Sequence, residues 1–267
     1  ADNATYFASN GATFDLTDPV ISGVTDGGEY YTTQKVTVTD TNLDSVTLNN
    51  ETVTLENDML TLLGNTEAAY TITATDKAGN TTTVTVTMKT IASLAENIDD
   101  LTTENVTSAD EETIEAVKTA VGNVDTENAT DEEKAALQDI IDKCDDLLDK
   151  IEETANELGN VTSGVGGFDT DSIKSTDKET VEELAERIET LLNGKNLTEE
   201  EKQDLETVKG NAEDLLERLE KVENTVQKEQ VETVEDITSD NVALTDKEAL
   251  ENAEKELETA ISEFGGN

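Results

Sequence analysis

The chain has 267 residues, enough for one large domain or two to three small ones, and its 63 Asp and Glu against 18 Lys and Arg give a formal net charge of −45. A surface this acidic repels phosphate backbones and anionic membranes, so we predict no nucleic-acid partner and no membrane insertion. The chain has no His and one Cys. It therefore lacks residues that zinc sites, Ser/His/Asp triads and Cys/His nucleophile pairs require. We therefore expect no enzymatic activity.

Residues 1–90 show the two-residue period of β-strands. Hydrophobic residues alternate with Thr around Val36 and Val38, and again over 70–74 and 84–88. Clusters of Asn, Asp and Gly separate these runs at intervals of about ten residues, a spacing typical of two-sheet sandwiches. The pattern predicts an all-β sandwich for residues 1–90.

Two stretches of this segment carry a family resemblance. They are DPVISGVTDGGEYYTTQKVTVTDTNLDSVTLNNETV at 18–53 and YTITATDKAGNTTTVTVTMK at 70–89. The segment resembles the bacterial immunoglobulin-like domains of Gram-positive surface proteins. The resemblance implies an immunoglobulin-like fold and an extracellular spacer or adhesion module without catalytic residues of its own.

Residues 91–158 change to a helical period. From Asp131 onward, apolar residues recur every three or four positions until Gly159, which is predicted to end the helix. Thr130 and Glu133 have the spacing of a capping box. Two shorter patterns precede this helix, so we predict a three-helix bundle over 91–158.

The rest of the chain repeats this helical part. The run GNVTSGVGG begins a predicted linker over 159–171, and a second helical bundle is predicted for 172–267. A shift of 67 carries Ser108, Asp110, Glu112, Thr113 and Glu115 onto Ser175, Asp177, Glu179, Thr180 and Glu182. A shift of 68 carries Thr130, Glu132, Glu133, Lys134 and Leu137 onto Thr198, Glu200, Glu201, Lys202 and Leu205. A third copy starts near Val234.

Two motifs link this repeat to a family. They are VEDITSDNVALTDKEALENAEKELETAISEF at 234–264 and NLTEEEKQDLE at 196–206. The repeats resemble the three-helix modules related to those "found in various architectures", which follow immunoglobulin-like domains in Gram-positive surface proteins and secreted glycosidases. The predicted fold class is therefore multidomain, an N-terminal all-β immunoglobulin-like sandwich followed by all-α helical bundles.

Few residues qualify as a chemical site. Cys144 lies on the apolar stripe, with Ala212 at the equivalent position, which favours a core residue over a reactive thiol. Acidic runs begin the predicted helices, where carboxylates suit the helix dipole. Asp40, Asn42 and Asp44 share a loop and are the candidate calcium ligands, although Asx turns need no metal. No other cofactor is predicted.

These features favour a non-catalytic stalk or spacer of a modular cell-wall or secreted protein, with a contribution to adhesion. The alternative is a protein- or carbohydrate-binding accessory module of a secreted glycosidase or adhesin, with a host protein or glycan as partner. The scarcity of aromatic residues weakens this alternative, because only the pair Tyr30 and Tyr31 suits a sugar-binding platform. An enzyme fragment is the third reading. We expect a monomer.

Overall fold

The computed structural model describes residues 15–227, Thr238 and residues 243–264. Within these residues, eight strands come first and five α-helices follow. The strands are β1 (Val20–Ser22), β2 (Gly28–Tyr30), β3 (Gln34–Thr39), β4 (Leu43–Leu48), β5 (Glu51–Val53), β6 (Met59–Leu62), β7 (Ala68–Asp76) and β8 (Thr81–Met88). The helices are α1 (Glu111–Gly122), α2 (Asp131–Gly166), α3 (Lys178–Asn193), α4 (Glu199–Gln227) and α5 (Lys247–Phe264).

The strands form two sheets of unequal size. The smaller has the order β1-β3-β6 and is antiparallel throughout. The larger has the order β2-β8-β7-β4-β5, in which β2 runs parallel to β8 and the other pairs are antiparallel. Asn49 and Asn50 form the two-residue turn between β4 and β5, and both have positive φ, as a turn of this length between twisted strands requires.

The predicted alternation of buried and exposed side chains is present in the strands. In β3, Val36 and Val38 are fully buried while Lys35 and Thr39 are exposed. In β8, the side chains of Val84, Val86 and Met88 are buried, and the intervening threonines lie on the other face. The hydrophobic residues of β3 and β8 thus place one face of each of these strands in a hydrophobic core.

The predicted fold class is nevertheless wrong. The chain is mixed α/β, and neither sheet closes or forms the predicted immunoglobulin-like sandwich. The compact unit that holds both sheets is not all-β, because it combines residues 1–100 with residues 113–145, which are largely helical. The physical reason is that alternation reports which face of a strand is buried but not which strands pair. In addition, Glu133 at the start of α2 is buried and accepts hydrogen bonds from Thr33 beside β3, which joins helical residues to this unit.

A second compact unit contains residues 101–112 and 146–267. Its core comes from the last turns of α2, from α3 and from α4. The buried residues are Val161, Val165, Ile173, Val181, Leu184, Ile188, Leu197, Leu205, Ala212, Leu215 and Leu219. In the described part of the chain, no helix is both long enough and apolar enough to cross a membrane.

Helix α2 does not end at Gly159. It continues to Gly166, so the first half of the segment predicted as a linker over 159–171 is helical. The reason is that Val161 and Val165 continue the apolar stripe of Ile151 at helical spacing and are both buried. Burial of these valines outweighs the low helix propensity of the glycines around them.

The helical repeat has a structural counterpart. We call α1, α3 and α5 the first helices of the three copies, and α2 and α4 the second helices. Equivalent core positions in the first two copies are all buried. These pairs are Ile114 and Val181, Val117 and Leu184, Val121 and Ile188, Leu137 and Leu205, Cys144 and Ala212, Leu147 and Leu215, and Ile151 and Leu219. The start of the third copy, near Val234, lies outside the described residues.

Two glycine substitutions in α2 test this helix. A Cβ added at Gly159 would meet no atom within 4 Å outside its own helix, so Gly159→Ala should raise the free energy of unfolding by about 0.5–1 kcal/mol through helix propensity. At Gly164 the added Cβ would lie 2.7 Å from Leu184 Cδ2 in the core, so Gly164→Ala should lower it by about 1 kcal/mol. Urea denaturation followed by circular dichroism measures both. Equal, near-zero effects would mean that residues 159–166 are a flexible linker.

Candidate functional site

Three carboxylates meet at the ends of the strands. Asp15 precedes β1, Asp40 follows β3, and Asp76 is the last residue of β7. One oxygen of each carboxylate lies within 4.8 Å of the others. We call Asp15, Asp40 and Asp76 the carboxylate cluster.

Asp76 is the most enclosed member of the cluster, with 2% of its surface exposed. Its Oδ1 accepts hydrogen bonds from the backbone N–H groups of Ala78 and Asn80, both at 2.8 Å, and its Oδ2 accepts one from Asn80 Nδ2 at 2.7 Å. Burial raises the pKa of Asp76, but these hydrogen bonds favour the charged form, so the pKa lies below its ordinary value.

Two asparagines connect the cluster to the loops. Asn42 Nδ2 donates to Asp15 Oδ2 at 2.9 Å, and this bond is the main reason that the pKa of Asp15 is lowered. Asn80 Nδ2 also donates to the carbonyl oxygens of Asp15 at 3.1 Å and Thr17 at 3.3 Å. The amides therefore offset part of the repulsion between the carboxylates.

The predicted calcium ligands are only partly brought together. Asp40 belongs to the carboxylate cluster, and Asn42 contacts the cluster through its side chain. Asp44 is exposed and is not a member of the cluster. Sequence reasoning missed Asp15 and Asp76. The DKAGN turn was a signal for Asp76, because an Asp that opens a tight turn bonds the following backbone, whereas nothing local marks Asp15.

The cluster offers the oxygen ligands that a hard cation such as Ca²⁺ prefers. The same oxygens, however, already accept hydrogen bonds from the chain itself, and these bonds fix the loops without a metal. The described residues at this site therefore serve first to fix the loops through hydrogen bonds. The cluster by its composition alone does not identify a metal site.

The acidic helix starts are structural. At the start of α2, Thr130 Oγ1 accepts from Glu133 N–H at 3.1 Å, and the Glu133 carboxylate accepts from Thr130 N–H at 2.9 Å, which confirms the predicted capping box. Glu133 is 5% exposed and also accepts from the Thr33 N–H at 3.1 Å and the Thr33 hydroxyl at 2.9 Å. One carboxylate thus caps a helix and binds a distant loop.

The second copy repeats this arrangement with another partner. At the start of α4, Glu201 Oε2 accepts from Thr198 N–H at 2.7 Å, and Glu201 Oε1 accepts from the Ser108 hydroxyl at 2.7 Å. Burial raises the pKa of Glu201, and the hydrogen bonds from Thr198 and Ser108 more than offset this, so its pKa is lowered. The recurrence at equivalent positions supports a structural role for both carboxylates.

Cys144 is fully buried, as is Ala212 at the equivalent position of the second copy. Burial raises the pKa of the Cys144 thiol, and the negative charge of Asp145 raises it further. A raised pKa disfavours the thiolate, which is the reactive form. The prediction that Cys144 is a core residue is confirmed.

One aromatic residue lines a surface depression. Tyr31, Lys89 and Glu96 contribute to an open hollow of about 570 Å³ in the first unit. Tyr30 instead packs against the hydrophobic core, and its hydroxyl accepts a hydrogen bond from Thr25 N–H at 2.8 Å. The hollow therefore has a single aromatic ring for stacking.

Comparison with known proteins gives no further constraint, since no family model, no curated protein and no solved structure matches this chain. The site must therefore be judged from its own contacts.

The double role of Glu133 can be tested by substitution. Glu133→Ala removes the cap of α2 and leaves the buried Thr33 N–H without an acceptor, so the free energy of unfolding should fall by about 2–4 kcal/mol. Glu132→Ala is the matched control, because Glu132 carries the same charge in the same turn but is exposed. It should cost less than about 1 kcal/mol. Equal losses in urea titrations would assign the effect to charge alone.

Asp76 should make stability depend on pH. Its pKa is lower in the folded chain than its ordinary value of 3.8, so its contribution to stability is present above that value and is lost as the pH falls through the folded pKa. The stability difference between the natural chain and Asp76→Asn should be constant above about pH 5 and shrink below about pH 3.8. Asp44→Asn is the control, because Asp44 is exposed and is not a member of the carboxylate cluster.

The same pair of variants separates a cation role from loop fixation. A calcium ion bound only by the folded cluster would raise the melting temperature of the natural chain with increasing concentration, and Asp76→Asn would remove that rise. If neither calcium nor a chelator changes the melting temperature of the natural chain, the cluster only fixes the loops and binds no calcium.

Proposed function

We propose that this chain is a non-catalytic stalk or spacer of a modular bacterial protein, placed outside the cell, in the cell wall or secreted, with a contribution to adhesion. The observation that carries the proposal is the repetition of a packed helical unit whose conspicuous acidic residues cap helices. Glu133 and Glu201 occupy equivalent positions and make equivalent contacts. A helix cap is expected to recur at the same position in each structural repeat, whereas a catalytic carboxylate is not.

The chemistry of the described residues supports this proposal. The carboxylate cluster is engaged with its own loops, and the one thiol is buried with a raised pKa. General acid–base catalysis needs groups that can reach a substrate and titrate near the working pH. The chain contains no His, the pKa values of Asp15 and Asp76 are lowered, and the buried Cys144 thiol has a raised pKa.

The physical properties also suit a spacer. Tandem helical modules contact mainly their neighbours, so adding copies lengthens a protein without requiring a larger core. The net charge of −45 opposes association with other acidic surfaces and favours solubility. The resemblance of the motifs at 196–206 and 234–264 to the helical modules of Gram-positive surface proteins supports the same proposal.

A protein- or carbohydrate-binding module is the second candidate. The observation that favours it is the hollow beside Tyr31, where Lys89 and Glu96 offer polar groups around one aromatic ring. Aromatic rings supply much of the contact energy at recognition surfaces. Glycan arrays and a pull-down with serum proteins test this candidate, with Tyr31→Ala as the control for any hit.

The spacer function can be tested by placing the chain between a surface anchor and a small epitope on a bacterial cell. We expect the epitope to be more accessible to an antibody than it is on a flexible Gly/Ser linker of equal length, because a flexible coil also samples short end-to-end distances. Leu215→Asp, which places a charge in the core of the second unit, is the folding-defective control. Equal accessibility for all three would contradict the spacer proposal.

A further inference from the structure

Strands β2 and β8 pair in a direction that distinguishes them from the other described strand pairs. They run parallel, with Gly28 opposite Val86 and Tyr30 opposite Met88, whereas the other pairs of described strands are antiparallel. Antiparallel neighbours can be joined by a tight turn at one end, but parallel neighbours cannot. The chain therefore enters β2 at one end of the pair and leaves β8 at the opposite end.

This direction decides how the pair responds to tension. When the chain is pulled from the residues before β2 and after β8, the two strands are drawn in opposite directions along their length. All the hydrogen bonds between them are then loaded together, whereas strands pulled apart from one end lose their bonds one after another. Forced unfolding is governed by the unfolding rate, so loading all the bonds together should raise the force that the pair withstands.

Hydrogen bonds beyond the paired residues lengthen the contact at both ends. At the start of β2, the Gly27 N–H donates to the Thr85 carbonyl oxygen at 2.7 Å, and Asp26 Oδ1 accepts from the Thr85 N–H at 2.8 Å. At the end of β2, the Tyr30 carbonyl oxygen accepts from the Lys89 N–H at 2.8 Å. The two strands are thus joined beyond their ladder on both sides.

Side chains also hold β2, which lies at the edge of its sheet. Lys89 Nζ lies 2.9 Å from Glu29 Oε2, and the Tyr30 hydroxyl accepts from the Thr25 N–H at 2.8 Å. A Cβ added at Gly28 would lie 2.7 Å from Tyr30 Cε2, so the Tyr30 ring packs directly over the strand. An edge strand of three residues is therefore fixed by far more than its own ladder.

Strand β8 is firmly held on its other side. It pairs with β7 over eight residue pairs, from Ala68 opposite Met88 to Thr75 opposite Thr81. The side chains of Val84, Val86 and Met88 are also buried in the core. Tension on β8 is therefore expected to act on its shorter contact with β2 before it can draw β8 out of the sheet.

Tension from the C-terminal side reaches β8 through residues 90–145. Residues 91–98 form a short helix, and α1 and the first part of α2 follow. Each hydrogen bond of an α-helix joins residues only four positions apart, so helical turns can extend one at a time under tension. These residues therefore pass tension on to β8.

We propose that β2 and β8 form a force-bearing strand pair, which keeps the sheets of the first compact unit folded when the chain is under tension. That the chain carries tension rests on the proposed stalk function, since a stalk is stretched when the two things it connects are pulled apart. The resistance itself rests on the direction of the two strands and on the bonds between them.

Pulling single molecules of the full chain in two directions tests the proposal. Thiol handles are placed in a Cys144→Ala background, which Ala212 at the equivalent core position supports. The shear direction uses Thr25→Cys and Ala92→Cys, two exposed positions on either side of the pair. The peeling direction uses Thr25→Cys and Lys77→Cys, because Lys77 lies in the turn before β8, at the end where β2 begins. At equal loading rates, we expect a rupture force about twofold or more higher in the shear direction.

Two variants locate the resistance. Asp26→Ala removes the acceptor of the Thr85 N–H and should raise the unfolding rate at constant shear force several-fold. Val53→Ala is the matched control, because Val53 packs against the same core from β5, at the opposite edge of the same sheet. It should lower the urea midpoint at least as much as Asp26→Ala and leave the unfolding rate under shear unchanged. Thermal melts establish that both variants fold.

Each outcome decides the proposal. A higher rupture force in shear than in peeling, reduced by Asp26→Ala and not by Val53→Ala, supports it. Equal rupture forces in the two directions overturn it, as does an equal response of the two variants under shear. A high shear force in a chain that fails the epitope test supports the force-bearing pair and contradicts only the spacer proposal.

Discussion

The structure depends on how the first turn of each second helix satisfies its hydrogen-bonding groups. The first N–H groups of an α-helix have no partner within the helix and must find one elsewhere. In α2 and α4, a Thr and a Glu three residues later satisfy each other's backbone N–H groups. The Glu then has an oxygen lone pair left for a group from an earlier part of the chain, Thr33 in one copy and Ser108 in the other.

This arrangement accounts for much of the acidic composition. A carboxylate at a helix start is stabilised by the helix dipole and by charge-assisted hydrogen bonds, so a chain built from such helices accumulates Asp and Glu. Charge pairing contributes less. The bidentate ion pair between Arg187 and Glu157 in the second unit, at 2.7 and 2.9 Å, has side chains that are 44% and 32% exposed, so water screens it. The cohesion of the helical copies therefore comes chiefly from the buried aliphatic stripe.

The sequence was informative wherever a pattern is local. Strand alternation, capping boxes, the helical stripe and the burial of Cys144 all follow from residues within a few positions of each other. The sequence was less informative about partners distant in the chain. Alternation reports which face of a strand is buried but not which strands pair, and therefore the immunoglobulin-like sandwich was predicted wrongly.

The helix end and the carboxylate cluster show the same limit. The glycines in 159–167 suggested a linker, although Val161 and Val165 continued the stripe and could have been weighed against them. Asp15 joins Asp40 and Asp76 from distant positions in the chain, and no local pattern reports such a meeting. Glu133 was correctly read as a cap, yet its bond to Thr33, one hundred residues away, was invisible in the sequence.

One carboxylate, Glu133, both caps a second helix and binds an earlier segment of the chain. A double-mutant cycle between Thr33 and Glu133, using Thr33→Val and Glu133→Ala, measures the coupling between these side chains directly. We predict an interaction free energy of about 1 kcal/mol or more in equilibrium unfolding, because a buried hydrogen bond to a carboxylate is lost in either single variant. Additive losses, with no interaction free energy beyond error, would contradict this double role.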